Sequence, residues 1–497
     1  MLKVKQIKQL VFRILLKESP VAISIRHHRI FKALLSYALI VSSICAGPLL
    51  RLDASMAFAE EIKDKPVIIN TEVRPLPGEL DDIPMFNSNS PEIVRTSGVL
   101  LSLLPKEGKR YPDAHLEYPL KGKFRVFTHH INNRIKQEDN RVLYLGLLAY
   151  NPDNNSATVR VLRAASYLSQ PDAPFIKLPN FFENKDGCTY AGPGDRITND
   201  FLRGDSQSGW PAKITVPARS YAIIYALPVQ VRGLTSQNNG RSTLLELSCT
   251  RKIYLCEVAD LVKTEDNRSV ESPSLQRFVE IAETHELSQE RDKTPSVPNT
   301  KGPLIYGRVA GVQVGCKWAG TATDGEKNIT RLTIPPVDKP LAFPICSLEG
   351  GTFGTGQVQS AELAVRYPDT AYAAHGNYAV EYRLQFPLYN PAITETKVSF
   401  SLDTPVKTDQ LKDNLTYFDP PSKHTFFRGT VLVQYLSDEG NTTKSYIHLV
   451  ETRGTKSEEL FNITMKPKGR RTIQFSLFYP PDATPPQVIT LSSKAVD

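Results

Sequence analysis

The sequence lacks the short motifs that mark the common metal and nucleophile sites. It contains no C-x-x-C pair and no set of cysteines and histidines at metal-binding spacing, which argues against a structural zinc site. It also contains no G-x-S-x-G elbow, the motif that exposes a nucleophilic serine in many hydrolases. The motifs therefore predict no catalytic residue, no metal site and no cofactor.

An excess of charge is also missing from most of the chain. The 497 residues include 60 Lys and Arg against 52 Asp and Glu, for a formal net charge of +8. Nine of the basic and two of the acidic residues lie in residues 1–59, so the remainder carries 51 bases against 50 acids. Since nucleic-acid binding relies on an excess of basic residues, we predict no nucleic-acid partner.

The excess charge belongs instead to a predicted export signal. A basic lead precedes an uncharged apolar stretch over Ala33–Ala46, and the A-x-A form of a peptidase site follows at Ala57–Ala59. We predict a signal peptide over residues 1–59 and an exported protein, in the periplasm or at the cell surface, with no stable membrane span after cleavage. The alternative is an uncleaved anchor, because the apolar stretch reaches 18 residues if it continues to Leu50.

Five cysteines follow the predicted signal peptide, an odd number that leaves at least one unpaired. An oxidising destination permits two disulfides. Cys249 and Cys256 flank a predicted hairpin turn at Thr250–Lys252, and Cys316 and Cys346 lie in the same predicted domain. Buried free thiols are the alternative for each pair.

The texture of the chain predicts strands. Proline outnumbers glycine, 37 to 28, and short alternating runs are separated by turn clusters, as in sandwiches and barrels. One helical pattern follows Ser272-Pro273. We therefore predict an all-β fold of two immunoglobulin-like β-sandwich domains joined by a linker containing one helix. Its divisions are an extended Pro-rich lead over residues 60–92, a first sandwich over 93–262, a charged linker over 263–300 and a second sandwich over 301–497.

The two β regions share four motifs in the same order, which indicates an internal repeat. In both regions a valine follows seven residues after the proline of a Tyr-Asn-Pro motif. The matched pairs are Tyr150–Pro152 with Tyr389–Pro391, Val159 with Val398, Phe201–Gly204 with Phe426–Gly429, and Ile214–Val216 with Ile463–Met465.

Five segments also match a known family. They are ASYLSQPDAP at Ala165–Pro174, GTGQVQSA at Gly354–Ala361, RYPDTAY at Arg366–Tyr372, AHGNY at Ala374–Tyr378 and YPPDATPP at Tyr479–Pro486. On these segments the chain resembles an uncharacterised family of exported cyanobacterial proteins, over about residues 88–497. The resemblance implies an envelope location, and it implies no catalytic residues because that family has no known function.

A cluster of tyrosines beside polar residues is the candidate binding surface. Tyrosine combines an apolar face with a polar tip, as a sugar- or peptide-binding rim requires. Tyrosines in strands pack into cores by default, so this hypothesis requires the cluster to lie on loops. The candidate binding residues are Tyr367, Asp369, Tyr372, His375, Asn377 and Tyr378.

These observations favour a binding protein over an enzyme. We predict a non-enzymatic exported envelope protein with a structural, adhesive or assembly-accessory role, whose partner is an envelope protein or a glycan. One alternative is an envelope glycan hydrolase with a carboxylate pair that the sequence does not identify. The other is a periplasmic chaperone that acts through an exposed sheet edge.

Overall fold

The structure, a computed structural model, describes residues 65–136, 139–263, 271–325, 328–410, 413–438 and 440–496. The predicted signal peptide lies outside the described residues, as does part of the predicted linker. Strands predominate in the described part of the chain, which confirms the prediction of a mostly β protein.

Strands and helices are numbered here in chain order. Up to residue 262 the strands are β1 (Lys65–Asn70), β2 (Glu72–Val73), β3 (Glu79–Leu80), β4 (Pro84–Ser88), β5 (Ile93–Val94), β6 (Gly98–Ser102), β7 (Leu120–Asn133), β8 (Val142–Asn151), β9 (Ala157–Leu168), β10 (Phe181–Glu183), β11 (Lys213–Val216), β12 (Ser220–Val229) and β13 (Asn238–Val262). The later strands are β14 (Ala310–Val314), β15 (Lys317–Thr321), β16 (Leu332–Thr333), β17 (Leu341–Ile345), β18 (Ala361–Arg366), β19 (Ala373–Ala374), β20 (Glu381–Tyr389), β21 (Thr396–Asp403), β22 (Asn414–Asp419), β23 (Thr425–Leu436), β24 (Thr442–Thr452), β25 (Phe461–Met465), β26 (Arg470–Phe478) and β27 (Gln487–Ala495). The α-helices are α1 (Pro193–Arg203) and α2 (Leu275–Thr284), and a 3-10 turn spans Pro112–Ala114.

The longest strand, β13, takes part in two sheets. Up to Cys249 it pairs with β7 and β9, and from Tyr254 onward it pairs with β8 and β6. The first sheet extends from β9 to β11 and from β7 through β4, β14, β18 and β19, while β8 also pairs with β12. Cys249 and Cys256 thus lie on one continuous strand, and the predicted hairpin turn between them is wrong. A register shift after Cys249 takes the place of a turn.

The second half of the chain supplies most strands of two further sheets. One has the order β10-β24-β23-β26-β20-β15-β3, with β16 beside β20, and the other has the order β2-β17-β27-β21-β25. β1 and β22 form a separate two-stranded sheet. Strand β10 comes from the first half of the chain, so this pairing links the two halves.

The Pro-rich lead is built into these sheets through β1 to β4. The first three strands pair with strands of the second half, whereas β4 lies between β7 and β14. The lead passes so close to β15 that a Cβ atom on Gly320 would lie 1.9 Å from the carbonyl oxygen of Pro77. Only glycine permits this approach. β4 therefore joins strands from both halves of the chain into one sheet through main-chain hydrogen bonds.

Two large hydrophobic cores lie within the single compact unit that the described residues form. The first core consists of residues between 86 and 259 together with Ala310, Val312 and Tyr367. The second consists of Leu76 and residues between 318 and 491.

Strand β8 is buried on both faces because helix α2 covers the face that points away from the first core. Leu145 and Leu147 enter the first core, while Leu148 faces Phe278 of the helix, as the period of two in a strand requires. A Cβ atom on Gly146 would lie 2.8 Å from the Phe278 ring, so glycine lets the helix pack closely here.

The asparagines of the two Tyr-Asn-Pro motifs make the same set of hydrogen bonds. The fully buried side-chain amides of Asn151 and Asn390 each donate to three carbonyls. Each amide thereby ties the turn after one strand (β8 or β20) to the end of another (β11 or β25). The acceptors are Asn155, Val216 and Pro217 for Asn151, at 2.9–3.1 Å, and Thr394, Met465 and Lys466 for Asn390, at 3.0–3.2 Å.

Strand pairing around these asparagines is also equivalent in the two halves. β8 pairs with β12 and β9 with β11, as β20 pairs with β26 and β21 with β25. The match between Phe201–Gly204 and Phe426–Gly429 is wrong, since the first segment ends helix α1 and the second lies in β23. Pro193 in the first turn and Gly204 as a left-handed C-cap with φ of 83° are the helix signals.

Helix α2 lies in the segment with the helical pattern but begins later than Ser272-Pro273. The Ser274 hydroxyl accepts a hydrogen bond from the Arg277 amide at 3.2 Å, so Ser274 is the N-cap. The apolar face of the helix, with Phe278 and Ile281, packs on the sheet.

Candidate functional site

Tyr367 of the candidate binding surface lies in a core instead of at a rim. It is fully buried, its hydroxyl donates to the Ala114 carbonyl at 2.8 Å, and that hydroxyl accepts a hydrogen bond from the Ser102 amide at 2.9 Å. The expectation that Tyr367 lies on an exposed loop is therefore wrong. The physical reason is that its ring completes the first core from the second half of the chain.

Asp369 and Tyr372 are partly exposed, and an arginine contacts each of them. The Asp369 carboxylate pairs with the Arg291 guanidinium at 2.7 Å. The Arg366 guanidinium lies 3.8 Å from the centre of the Tyr372 ring. These contacts stabilise the turn before β19, and neither residue lines the cavity formed by the rest of the cluster.

His375, Asn377 and Tyr378 line a cavity of about 200 Å³, called here the first cavity. Three of the six candidate binding residues are therefore brought together. The other lining residues come from several distant segments: Asn87, Asn89, Tyr306, Gly307, Arg308, Val309, Leu348, Ala374, Gly376, Lys407, Thr484 and Pro485.

Three buried polar atoms in the lining have no hydrogen-bond partner in the structure. They are Oδ1 of Asn87, Oδ1 of Asn89 and Nδ1 of His375. The Asn87 amide nitrogen donates to Gln313 Oε1 at 2.7 Å, and this bond orients the amide and leaves its oxygen free. Burying an unpaired polar atom costs about 1–3 kcal/mol, so such atoms converging on one cavity point to a bound polar group.

Two tyrosines form aromatic walls of the first cavity. The Tyr378 ring lies against Gly376, where a Cβ atom would come within 2.6 Å of it, and the Tyr378 hydroxyl donates to the Ala483 carbonyl at 3.1 Å. Burial raises the pKa of Tyr378 to about 12. The centre of the Tyr306 ring lies 4.9 Å from that of the His375 ring, and its hydroxyl donates to the Glu349 carbonyl at 2.6 Å. Both rings are therefore held in place before any ligand arrives.

Asn377 lines the first cavity but shapes the loop instead of offering free polar atoms. Its side-chain amide donates to the Gln359 carbonyl at 2.7 Å and to the Tyr382 hydroxyl at 3.0 Å. Its side-chain oxygen accepts a hydrogen bond from the Ala361 amide at 3.0 Å. We therefore regard Asn377 as a positioning residue.

The charged groups of the first cavity are all basic. Arg308 and Lys407 belong to the lining, and no carboxylate does. Burial lowers the pKa of His375 to about 4, so its imidazole is neutral near pH 7. The Arg308 guanidinium forms ion pairs with the carboxylates of Glu92 and Asp292.

A second cavity, of about 520 Å³, contains two carboxyl groups, those of Glu92 and Asp482. Burial raises the pKa of Asp482 to about 7, and its Oδ2 atom has no hydrogen-bond partner. Burial is also the largest cause that raises the pKa of Glu92, although the ion pair with Arg308 opposes it. The lining of this second cavity also includes His129 and the exposed ring of Phe175.

The five cysteines in the described part of the chain carry free thiols in this structure, so neither speculative disulfide is formed. Cys249, Cys256, Cys316 and Cys346 are buried, and Cys188 is exposed. Burial raises the pKa of Cys256 and of Cys316 to about 12, which keeps both thiols protonated and unreactive.

Among the described residues, no group of three or more His, Cys, Asp or Glu side chains is placed to hold a metal ion. None of the helices in that part of the chain is long and apolar enough to cross a membrane.

Sequence reasoning missed Asn87, Asn89, Tyr306 and Lys407. Asn87 lies in β4 and Asn89 follows the last residue of that strand. This spacing of two, which places side chains on one side of an extended chain, is visible in the sequence. No local signal connects these asparagines with Tyr306, which precedes β14, or with Lys407, because long-range packing brings the three segments together.

The profile of a protein family described as "Protein of unknown function (DUF3370)" matches residues 71–493. No curated protein matches the chain.

Solved structures similar to the chain have very low scores. Lac15 from a marine microbial metagenome is 9% identical with a TM-score of 0.09, and the match covers 73% of this chain and 51% of Lac15. The Macrobrachium rosenbergii nodavirus is 11% identical with a TM-score of 0.12, covering 91% and 96%. PNGF-II is 11% identical with a TM-score of 0.11, covering 86% and 66%. The chain thus spans about half the length of Lac15, and scores this low carry no argument about fold or function.

Proposed function

The chain belongs to the family of proteins of unknown function DUF3370, and we propose that it is a non-enzymatic exported protein of the cell envelope. In this proposal it binds a sugar residue of a glycan in the first cavity. The observation that carries this proposal is the convergence of the unpartnered polar atoms of Asn87, Asn89 and His375 on that cavity.

Sugar hydroxyls suit these three atoms. The two Asn oxygens need donors, and a neutral His375 Nδ1 either accepts or donates according to its tautomer. Each hydroxyl of a sugar both donates and accepts, so a single ring can satisfy all three atoms. Leaving them unpaired costs free energy that a hydroxyl-bearing ligand recovers.

The size and walls of the first cavity support the same ligand class. Its volume of about 200 Å³ is below the roughly 300–1,000 Å³ of sites for drug-sized molecules, so it suits a single ring. Tyr306 and Tyr378 offer aromatic surface to the apolar face of such a ring. The rest of a glycan chain would then remain outside the cavity.

The export of the protein and its origin in a cyanobacterium belong to this proposal. They are supported by the basic, apolar and A-x-A sequence of residues 1–59 and by the resemblance of the five segments. Fractionation of cells that carry the full chain with a C-terminal tag provides the test. We expect a mature form cleaved near Ala59 in the envelope fraction, and recovery of the uncleaved chain from the cytosol alone would contradict the export proposal.

We also propose that the chain holds two copies of an immunoglobulin-like sandwich. The equivalent hydrogen bonds of Asn151 and Asn390 and the equivalent pairing of four strands around each of them support this division. On this view the predicted boundaries near residues 262 and 301 separate the two copies, and the lead crosses both.

Sugar binding is tested directly with the mature chain. The probes are N-acetylglucosamine, glucose and galacturonate, measured by saturation-transfer NMR and calorimetry. We expect at least one sugar to bind, and we expect Asn89→Ala and His375→Phe to weaken that binding. Tyr372→Phe is the matched control outside the cavity. Absence of binding of all three sugars to a folded wild-type protein would overturn the proposal.

The second cavity favours glycan hydrolysis as a second candidate function. A carboxylic acid with a pKa near 7, such as Asp482, can act as a general acid, and Glu92 supplies a second carboxylate in the same cavity. Release of reducing ends from purified envelope glycan, lost in Asp482→Asn, is the expected result for an enzyme. If the wild-type protein releases none, this candidate is eliminated while the binding proposal is unaffected.

A further inference from the structure

The charge of the first cavity is not balanced within its lining. Arg308 and Lys407 are its only charged lining residues, and both are basic. Arg308 is compensated by Glu92 and Asp292, whose carboxylates pair with its guanidinium. The remaining positive charge is that of Lys407.

No carboxylate among the described residues lies within 4 Å of the Lys407 ammonium in the structure. The closest acidic residue along the chain, Asp409, is engaged elsewhere, because its carboxylate accepts hydrogen bonds from the amides of Gly350 and Thr352. Lys407 is exposed and belongs to the lining of the cavity.

Lys407 is nevertheless held at the site by Tyr306. Its Nζ atom donates to the Tyr306 hydroxyl at 3.2 Å and lies 4.9 Å from the centre of that ring. The neutral ring of His375 also lies beside Tyr306, with 4.9 Å between the centres of the two rings. A ring stacked in the cavity would therefore have hydroxyl-binding atoms at its base and one unpaired ammonium at its edge.

We infer that the sugar bound in the first cavity is acidic, of the uronic-acid class, with its carboxylate paired to Lys407 and its hydroxyls on Asn87, Asn89 and His375. This inference rests on the proposed sugar-binding function. A carboxylate is the group that completes the charge balance of the site, since an ammonium held beside an aromatic ring attracts anions and repels cationic sugars. A cavity of about 200 Å³ accommodates one such ring with its carboxyl group.

The test compares galacturonate, its methyl ester and galactose as ligands of the mature wild-type protein at low and high salt. The ester keeps the ring and the carbonyl group of the acid, adds one methyl group and removes the charge. Because Lys407 is exposed, we expect the acid to bind roughly threefold to fivefold more tightly than the ester at low salt, and this advantage to shrink below about twofold in 0.5 M salt. Equal affinity for acid and ester at low salt would overturn the inference and leave sugar binding intact. Failure of all three to bind would overturn both.

A variant series assigns the effect to Lys407. Lys407→Met should equalise the affinities for the acid and the ester. Lys407→Arg should restore the preference for the acid, and Lys339→Met, an exposed lysine outside the cavity, should leave it unchanged. A preference for the acid that persists in a folded Lys407→Met protein would contradict the assignment.

Discussion

At the scale of single residues, the two buried asparagines of the Tyr-Asn-Pro motifs stabilise the fold more than exposed asparagines do. Each amide donates to three carbonyls, one of which belongs to a buried residue (Val216 or Met465), so removing the amide takes away all three hydrogen bonds. We predict that Asn151→Ala and Asn390→Ala each lower the free energy of unfolding by about 3 kcal/mol, measured in urea.

The control for this pair is Asn462→Ala, an exposed asparagine on β25, for which we expect a change within about 0.5 kcal/mol. If Asn390→Ala were as mild as Asn462→Ala, the three hydrogen bonds would not contribute to stability. Similar losses for Asn151 and Asn390 are expected, because their hydrogen-bond partners occupy equivalent positions.

Glu451 gives the fold a pH dependence of its own. Burial raises its pKa from 4.5 to about 8, with the nearby carboxylates of Asp403 and Glu458 adding to the rise. The folded protein therefore keeps a proton that the unfolded chain releases above about pH 4.5. The stability from this group is complete below pH 4.5 and is lost as the pH rises through about 8.

We accordingly predict that Glu451→Gln flattens the decline in stability between pH 5 and pH 8.5. At pH 8.5 the variant should be more stable than the wild type by about 2–4 kcal/mol, since it has no buried carboxyl to ionise. Urea unfolding at a series of pH values measures this, with the exposed Glu362→Gln as control. A wild-type protein whose stability relative to Glu451→Gln does not change with pH would contradict the raised pKa.

At the scale of elements, helix α2 covers an apolar face of β8, and its first turn is stabilised by an N-cap. The Ser274 hydroxyl satisfies the Arg277 amide, one of the orphan donors of the first turn. We predict that Ser274→Ala costs about 1 kcal/mol in thermal or denaturant unfolding. Ser272→Ala, at the start expected from the sequence alone, should cost much less, and the reverse order would place the helix start at Ser272-Pro273.

Element type was predictable wherever the local pattern and the tertiary environment agree. Strand β20 alternates because one of its faces enters the second core, so Leu384 could be recognised as a core residue from the sequence. Helix α1 was missed because Pro193 and Gly204 occur in turns as often as at helix ends, and the segment between them is polar. The basic residues at Arg251 and Lys252 suggested a turn, whereas β13 carries them along one continuous strand.

Three of the six candidate binding residues line the first cavity, and its other lining residues could be identified only from the fold. His375, Asn377 and Tyr378 are local to one loop, so their proximity is visible in the sequence. Asn89 reaches the cavity because β4 pairs with β14, and Lys407 reaches it from the segment between β21 and β22. Long-range pairing of this kind leaves no local pattern, and for the same reason the burial of Tyr367 was not predictable.

At the scale of the whole molecule, Arg125 couples the two cores. On β7 of the first half, its guanidinium donates to the Cys316 carbonyl at 2.7 Å and pairs with the buried Glu381 carboxylate of β20 at 3.1 Å. Together with the main-chain pairing of β4, this contact makes the stability of each core depend on the other core. The two cores should therefore unfold together.

The chain contains only two tryptophans, which makes this cooperativity measurable. Trp210 packs against the first core and Trp318 lies in the second, so Trp210→Phe and Trp318→Phe each leave one reporter of one core. We predict that the two fluorescence reporters give coincident urea midpoints. Because each substitution can change the stability, each fluorescence midpoint is compared with the midpoint that circular dichroism gives for the same variant. Arg125→Ala should lower the free energy of unfolding reported by both tryptophans equally, by about 3 kcal/mol, because the buried Glu381 carboxylate then keeps only the exposed Arg383 guanidinium as its ion-pair partner. The control Arg160→Ala, at an exposed arginine, should lower neither value. Two separated midpoints, or a loss confined to one reporter, would mean that the halves fold as independent units despite the strands they share.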